Sequence, residues 1–327
     1  MHRSARHCVA MLLSVLAGLA AHSAGAQDYP THSIRLIVPF APGGVTDTSA
    51  RAITDRLSAR LGQQVVIDNR PGANGNIGSE QVARAAPDGY TLLLGFDGTL
   101  VINPHVYARV PFDTVNDFAP ITKLGDASLI VLAATNLPVK TFAELLAYSK
   151  THPGSLSYGT SGTGSTPHVA GELLKIQTGI DMVHIPYKGG GPAISDLVGG
   201  QLPLVFTAIA SAQQFVKNGR ANAIAVASRA RSDALPSVPT LIESGVPGFE
   251  SYSWVALLAP AHTPSAIVDR LQRATALVLR EPEVRERYAV LGIDPVGNSP
   301  AQFAEQLRSD LQKWGGVVKQ AGIRLEN

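Results

Sequence analysis

The stretch from Ser33 to Asp47 constrains the fold of this chain more than any other. Ile34–Val38 is apolar at every position but Arg35 and does not alternate, which predicts a strand buried on both faces, as in a parallel sheet covered by helices. Pro39 ends the run, Gly43 and Gly44 turn the chain, and Thr46, Asp47, Thr48 and Ser49 fall in the first turn of a helix. That helix carries Ile53, Leu57 and Leu61 at helical spacing and stops at Gly62. A strand, a glycine turn and a helix in this order aim unpaired backbone N–H groups past the strand's carboxyl end. The positive end of the helix dipole points the same way, so the arrangement is a ready anion site.

The same alternation continues along the chain. Gln64–Asp68 reads as a strand, Asn69–Gly78 as a loop, and Ser79–Ala85 as a short helix with Ser79 as its cap. Pro87–Gly89 turns into the strand Tyr90–Leu94, which completes a βαβαβ unit and predicts a mostly parallel sheet. Ile121–Ala134 is a long apolar segment suited to cross between domains. A second α/β unit follows: a helix capped by Thr141, the strand Ser155–Tyr158, a helix over His168–Gln177, and the strand Met182–Pro186. A helix through Ile194 and Leu197 comes next, with strands at Leu202–Phe206 and Ala223–Ala227. Ser251–Ala259 reads as the return crossing. Helices over Ser265–Leu279, Glu283–Leu291 and Pro300 to about Gly315 close the chain. The first and last thirds therefore share one domain, the middle third forms another, and two crossings make a hinge.

Residues 1–26 read as a secretory signal peptide: Arg3 and Arg6 precede about 13 apolar residues, and Ala24–Gly25–Ala26 suits cleavage. The apolar run is short for a membrane span. The single cysteine, Cys8, precedes that run, which argues against lipid attachment and leaves the mature chain without thiols. Removing this leader takes away two arginines and no acid, leaving 25 basic against 25 acidic residues. Such a near-neutral chain, with no basic block, argues against a nucleic-acid partner. An anion would have to be held by local dipoles, not by the global field.

Three loops lie at predicted carboxyl ends of strands, where open parallel sheets bind ligands. They are Phe40–Asp47, Thr160–His168 and Tyr187–Pro192. Asp47 reads either as a first-turn acid favoured by the helix dipole or as a residue that orients the loop, bridging waters or a ligand amine. Asp97, after the third strand, is placed to face the cleft and set ligand identity. His168 suits hydrogen bonding better than metal ligation, His184 reads as a satisfied core histidine, and Lys188 as a solvated loop lysine. Catalytic signatures are missing: no P-loop, no dinucleotide G-x-G-x-x-G, no G-x-S-x-G elbow and no H-E-x-x-H. No cofactor and no metal is expected, and an enzyme ranks below a binding protein.

At these residues the chain resembles the periplasmic solute-binding receptors of the tripartite tricarboxylate transporter group, the Bug receptors. The matching segments are residues 29–51, 62–95, 102–107, 157–174, 184–201 and 238–260. The resemblance implies an α/β type II periplasmic-binding-protein fold: two lobes joined by two crossing strands. Lobe 1 would hold 27–128 with 249–327, and lobe 2 would hold 129–248. It also implies a small carboxylate ligand (an organic, amino or aromatic acid), held by backbone N–H groups and ordered waters without an arginine clamp. Phe40, Ala41, Gly43, Gly44 and Asp47 would come from lobe 1, and Ser161, Gly162, Thr163, His168 and Thr207 from lobe 2. Thr46 from the first helical turn and Asp97 complete the candidate set. The expected partners are membrane transporter subunits or, alternatively, a sensor kinase, with the receptor a monomer in the periplasm.

Overall fold

Residues 29–325 are described in a computed structural model of the chain; the expected leader lies outside the described residues. Strand β1 is Ile34–Val38, followed by helix α1 (Val45–Leu61), which Gly62 ends in the left-handed conformation at φ 76°. Strand β2 (Val65–Asn69), helix α2 (Asn76–Ala83) and strand β3 (Thr91–Phe96) complete the first unit. β1 pairs in parallel with both β2 and β3, setting Leu36 beside Ile67 and Leu92. Its two faces are buried in different clusters: Ile37 meets Leu93 on one, while Ile34, Leu36 and Val38 meet Ile53 and Leu57 of α1 on the other. Arg35 alone is exposed and pairs with Asp68 of β2 at 3.7 Å, so the strand is apolar where it is covered.

Helix α2 starts three residues earlier than the expected Ser79. Gly75, at φ 89°, precedes it, and Ser79 lies inside it with its hydroxyl buried and unpartnered, so Ser79 is not the cap. The positive φ of Gly72 and Gly75 lets Ala73–Gly75 make a tight turn that sequence spacing does not reveal.

A five-residue π turn (Gly98–Ile102) and the short helix α3 (Asn103–Val106) lead to β4, which runs 16 residues from Phe118 to Ala133. Then come α4 (Phe142–Thr151), β5 (Ser157–Thr160), α5 (Thr166–Thr178), β6 (Val183–Pro186), α6 (Gly190–Val198), β7 (Leu204–Ala208), α7 (Ile209–Lys217) and β8 (Asn222–Val226). β9 (Tyr252–Pro260), α8 (Ser265–Val278), α9 (Pro282–Val290), β10 (Ile293–Pro295) and α10 (Pro300–Ala321) finish the chain. Thr141 caps α4 through a full capping box with Glu144.

The sheet path runs β2-β1-β3-β9-β4-β7-β5-β6, with β8 and β10 also paired to β4. β4 changes partners along its length. Phe118–Ser128 lies antiparallel to β9, and Leu129–Ala133 lies antiparallel to β7, with β8 alongside from Ile130. The expectation of a mostly parallel sheet is therefore corrected. The sheet is parallel at its two wings and antiparallel through the centre, because the two long crossing strands run in opposite directions.

The end of the chain also departs from expectation. α10 continues past Gly315 to Ala321, and Gly322 stops it at φ 66°. Trp314, Val317 and Val318 stay buried in the core shared with Tyr158, Phe206 and Trp254. A side chain at Gly315 would press on the His105 ring, so glycine marks close packing there and not a helix end. β10, which sequence patterning missed, is only three residues long and pairs Ile293 with Ala127 of β4.

Gly78 ties this packing to the loops beyond β1. A Cβ there would stand 2.8 Å from Pro39 Cα and 2.9 Å from the Arg70 carbonyl oxygen. Neither backbone atom yields as a side-chain tip would. Gly78→Ala is expected to cost about 1–3 kcal/mol in urea unfolding, as overpacking does; an unchanged midpoint would show that α2 shifts without strain.

Candidate functional site

Beyond β1 the chain forms the exposed turn Ala41–Val45. Gly43 takes φ 89°, and Gly44 precedes α1 in extended conformation with no side chain capping the helix. The first amides of α1 thus have no intrahelical partner. Thr46 is buried in that first turn. Asp47 is buried as well, and its carboxylate is fully engaged. Oδ2 accepts from the Gly43 N–H and Arg51 Nε, both at 2.9 Å, and Oδ1 accepts from Arg51 at 3.1 Å and Asn69 Nδ2 at 3.0 Å. Burial disfavours this charge, yet the bonds from Arg51, Gly43 and Asn69, with the Arg51 charge, hold its pKa down at about 2. Asp47 is both a first-turn acid of α1 and bonded to the Gly43 N–H of the loop. Phe40 packs edge-on against Phe96, ring centres 5.5 Å apart, and its carbonyl accepts from Asn69 Nδ2.

The loop between β5 and α5 is built on its own bonds. Ser161 is exposed, while Gly162 and Thr163 are half-buried. Gly162 and Gly164 take φ 132° and 74°. Ser165 Oγ donates to the Gly162 carbonyl at 2.7 Å and leaves α5 uncapped. The Gly164 N–H donates to His168 Nδ1 at 3.0 Å. Accepting there puts the proton of a neutral His168 on Nε2. The His168 ring stacks on His184, centres 3.6 Å apart, and His184 Nε2 bonds Thr160 Oγ1 at 2.7 Å. Burial, reinforced by the Lys175 charge, lowers the His168 pKa to about 4. Burial and the neighbouring His168 lower His184 to about 3. Both rings are neutral at neutral pH. Among the described residues, no group of three or more His, Cys, Asp or Glu is arranged to hold a metal ion.

The third loop closes against the second. A Cβ on Gly162 would reach the Tyr187 carbonyl at 3.4 Å, and one on Gly190 would stand 2.8 Å from Thr207 Oγ1. Thr207 is buried near the end of β7, and α6 begins behind Gly189 without a side-chain cap. Lys188 is exposed.

Asp97 joins the two sides. It is fully buried at the end of β3. Its Oδ2 accepts from Thr166 Oγ1 at 2.7 Å, and its Oδ1 from Ser253 Oγ at 2.8 Å. Burial raises its pKa to about 7, against the bonds from Thr166, Ser253 and the Gly98 N–H. Thr166 is the first residue of α5, and Ser253 lies in β9. The structure thus places Phe40, Phe96 and Asp97 in one contiguous set and links it to the β5–α5 loop.

Sequence reasoning missed Phe96, Thr166 and Ser253 as part of this set. It also missed a brace beneath the first loop: Asn103 Nδ2 donates to Asn76 Oδ1 at 2.8 Å and to the Asn74 carbonyl at 3.0 Å, and Thr99 Oγ1 donates to that carbonyl at 2.9 Å. The asparagines clustered in 69–76 were the available signal. A hollow of about 510 Å³ is lined in part by Thr163, His168, His184 and Arg324. One of about 590 Å³ is lined in part by Ser128, Arg285 and Asp294, and one of about 500 Å³ by Lys123, Trp254 and Asp310; no candidate residue lines these two. Donors at strand ends, more than volume, single out the loops.

Residues 49–323 match the profile of the tripartite tricarboxylate transporter family receptor. Protein BugT of Bordetella pertussis is 36% identical over 311 residues, 95% of each chain. An R. palustris protein solved with adipate is 36% identical at a TM-score of 0.79, covering 91% of this chain and 100% of that one. MatC from Rhodopseudomonas palustris, solved with bound malate, is 33% identical at a TM-score of 0.74, covering 89% and 100%. The α/β fold is that of these solved proteins.

Asp47 supports a pH-dependent expectation. Its folded pKa of about 2 lies below the usual 3.8, so the ionised form stabilises the fold above pH 3.8 and that contribution is lost as pH falls through about 2. Asp47→Asn is expected to melt a few degrees below wild type at pH 7, with the gap closing toward pH 2. A gap that stays constant across that range would remove the carboxylate's charge from the account.

Proposed function

The chain belongs to the tripartite tricarboxylate transporter receptor family, and on that footing we propose that its ligand is a small carboxylate held between two lobes and passed to the family's transporter. The family consists of periplasmic solute-binding receptors, and this chain is one of them. No helix among the described residues is long and apolar enough to cross a membrane. In the proposed reading, lobe 1 comprises 27–128 with 249–327 and lobe 2 comprises 129–248. The change of β4 partners between Ser128 and Leu129 supports that division.

The observation that carries the ligand class is the pair of uncapped helix starts, α1 behind Gly44 and α5 behind Ser165, each following a strand's carboxyl end. Exposed amides at a dipole's positive end suit an anion and need no cationic side chain. Ala41, Gly43, Gly44 and Thr46 would offer backbone donors from lobe 1. Ser161, Gly162, Thr163 and the hydroxyl of Thr207 would face them from lobe 2, while Phe40 would lie against the body of the acid. Asp47 and His168 would serve by holding the two loops that carry the donors. The relatives solved with adipate and with malate bind acids of the proposed kind.

Magnitudes agree. A hydrogen bond to a charged group is worth about 1.5–3 kcal/mol. Four to six of them exceed the roughly 8 kcal/mol of a micromolar complex, leaving room for ordering and closure. Donors divided between lobes bind more tightly when the lobes meet, and only such differential affinity lets a ligand shift them.

A thermal-shift screen of organic acids, including adipate and malate, tests the ligand class. A bound acid at about 100 times its Kd adds roughly 2.7 kcal/mol. Gly43→Val and Gly44→Val are expected to abolish the shift produced by whichever acid the wild type binds. A Cβ at Gly43 meets no atom within 4 Å, so an added side chain projects into the open turn. Gly44 sits at φ −77°, where valine is unstrained, so it separates obstruction from misfolding. Wild-type shifts in both variants would remove the first loop from the site.

A further inference from the structure

We infer that Asp97 is the positioning residue that fastens the start of α5 to the crossing strand β9, and so sets the closed arrangement of the two donor loops. This rests on the two-lobe reading above, with Asp97 at the end of a lobe 1 strand and Thr166 in lobe 2.

Three observations carry it. Both carboxylate oxygens of Asp97 are already engaged, one by Thr166 and one by Ser253, and no part of the residue reaches solvent. A fully enclosed acid with both oxygens engaged presents no open face to a ligand ammonium. Its partners lie 69 and 156 residues away in sequence, so these are tertiary ties and not local capping. Ser253 pairs with Ala127, next to the point where β4 changes partners. The adjoining Trp254 donates from Nε1 to Asp310 Oδ2 of α10 at 2.9 Å. Successive residues of the crossing strand are thus bonded to two carboxylates from different elements, and one of these also reaches the first residue of α5.

The consequence is mechanical. Thr166 heads the helix whose uncapped amides follow the β5 loop, so moving Thr166 moves those donors as a unit. Opening the lobes along this path would strip a buried carboxylate of a hydroxyl donor, and an acceptor left unmade in the interior is costly. The Asp97–Thr166 bond therefore favours the arrangement in which both donor loops meet.

The test uses the full mature chain carrying Ala59→Cys and Lys217→Cys. Both sites are exposed, on α1 and α7, and no other cysteine lies beyond Cys8. Spin labels at these positions report the distance between lobes. Thr166→Val removes the hydroxyl but keeps the backbone donor, and Asp97→Ala removes the acceptor. Both are expected to broaden the distance distribution toward longer values. They should also weaken malate and adipate by a common factor of about ten, the upper end of what one ordinary hydrogen bond contributes. Asp97→Asn, which keeps the shape and one acceptor, should recover part of both effects. Unaltered distances in Thr166→Val would overturn the inference even with every melting temperature lowered, since a purely structural role moves stability alone. Selective loss of aspartate relative to malate in Asp97→Asn would overturn it too, because that pattern belongs to an acid touching a ligand amine. The distance readout needs no bound acid. A wild type that ignores all the acids would therefore count against the carboxylate reading while leaving the Asp97 tie to be judged by the labels.

Discussion

Everything else in the molecule is placed by β4, a single strand with two sets of partners. Its first part is bonded to β9, and its last five residues are bonded to β7 and β8. Its side chains divide accordingly: Val131 joins the large core with Phe206 and Trp254, while Ile130 and Leu132 join the cluster under α6 and α7. A strand committed on both edges and both faces has no freedom to slip, because a shift of one residue would exchange its two faces. The two parallel wings hang from this fixed centre. The end of β3 is tied to the start of α5 by the bond between Asp97 and Thr166, one on each wing.

Much of this was legible in the residues themselves. Apart from the exposed Arg35, the run Ile34–Val38 named its own environment, since apolar residues in succession suit a strand covered on both sides. Gly62 stopped its helix because it takes a left-handed φ that other residues avoid. Thr141 was readable as the cap of α4, and it caps that helix through a box completed by Glu144. What stayed hidden has a common physical cause. The start of α2, the length of α10 and the pairing of β10 are decided by contacts with distant residues: Gly78 against Pro39, Gly315 against His105, and Ile293 against Ala127. Each of these glycines resembles a break in a local reading and is a point of close approach in the fold.

The candidate site shows the same limit. The glycine loops were readable as turns with exposed amides, because strand, turn and helix succeed one another in sequence. Thr166 and Ser253 carried no local signal, since a hydroxyl gains its meaning from the carboxylate it meets. Asp97 drew notice as an acid after a strand, and its position invited a role in contacting ligand. Three-dimensional context changes that emphasis, because enclosure and two hydroxyl donors leave it directed inward. Asp47 shows the converse: its neighbours Arg51 and Gly43 are near in sequence, so its loop-holding role was among the readings open from the start.

The anion site proposed above lies beside two acids, which raises an electrostatic objection that the local chemistry answers. Asp47 is compensated by Arg51 one helical turn along, and its oxygens point at the loop's own donors. Asp97 is pushed toward protonation by burial, with a pKa of about 7 that leaves a sizeable share of its carboxyl groups uncharged at neutral pH. The stacked histidines are neutral for the same reason, so they neither attract nor repel. With side-chain charge subdued, amide dipoles can dominate the field in the proposed cleft. Dipoles fixed by helix geometry need no counter-ion while the cleft is empty, whereas a buried arginine would be left uncompensated each time the ligand departed. With the proposed carboxylate as ligand, release is better served by such a field than by a permanent charge.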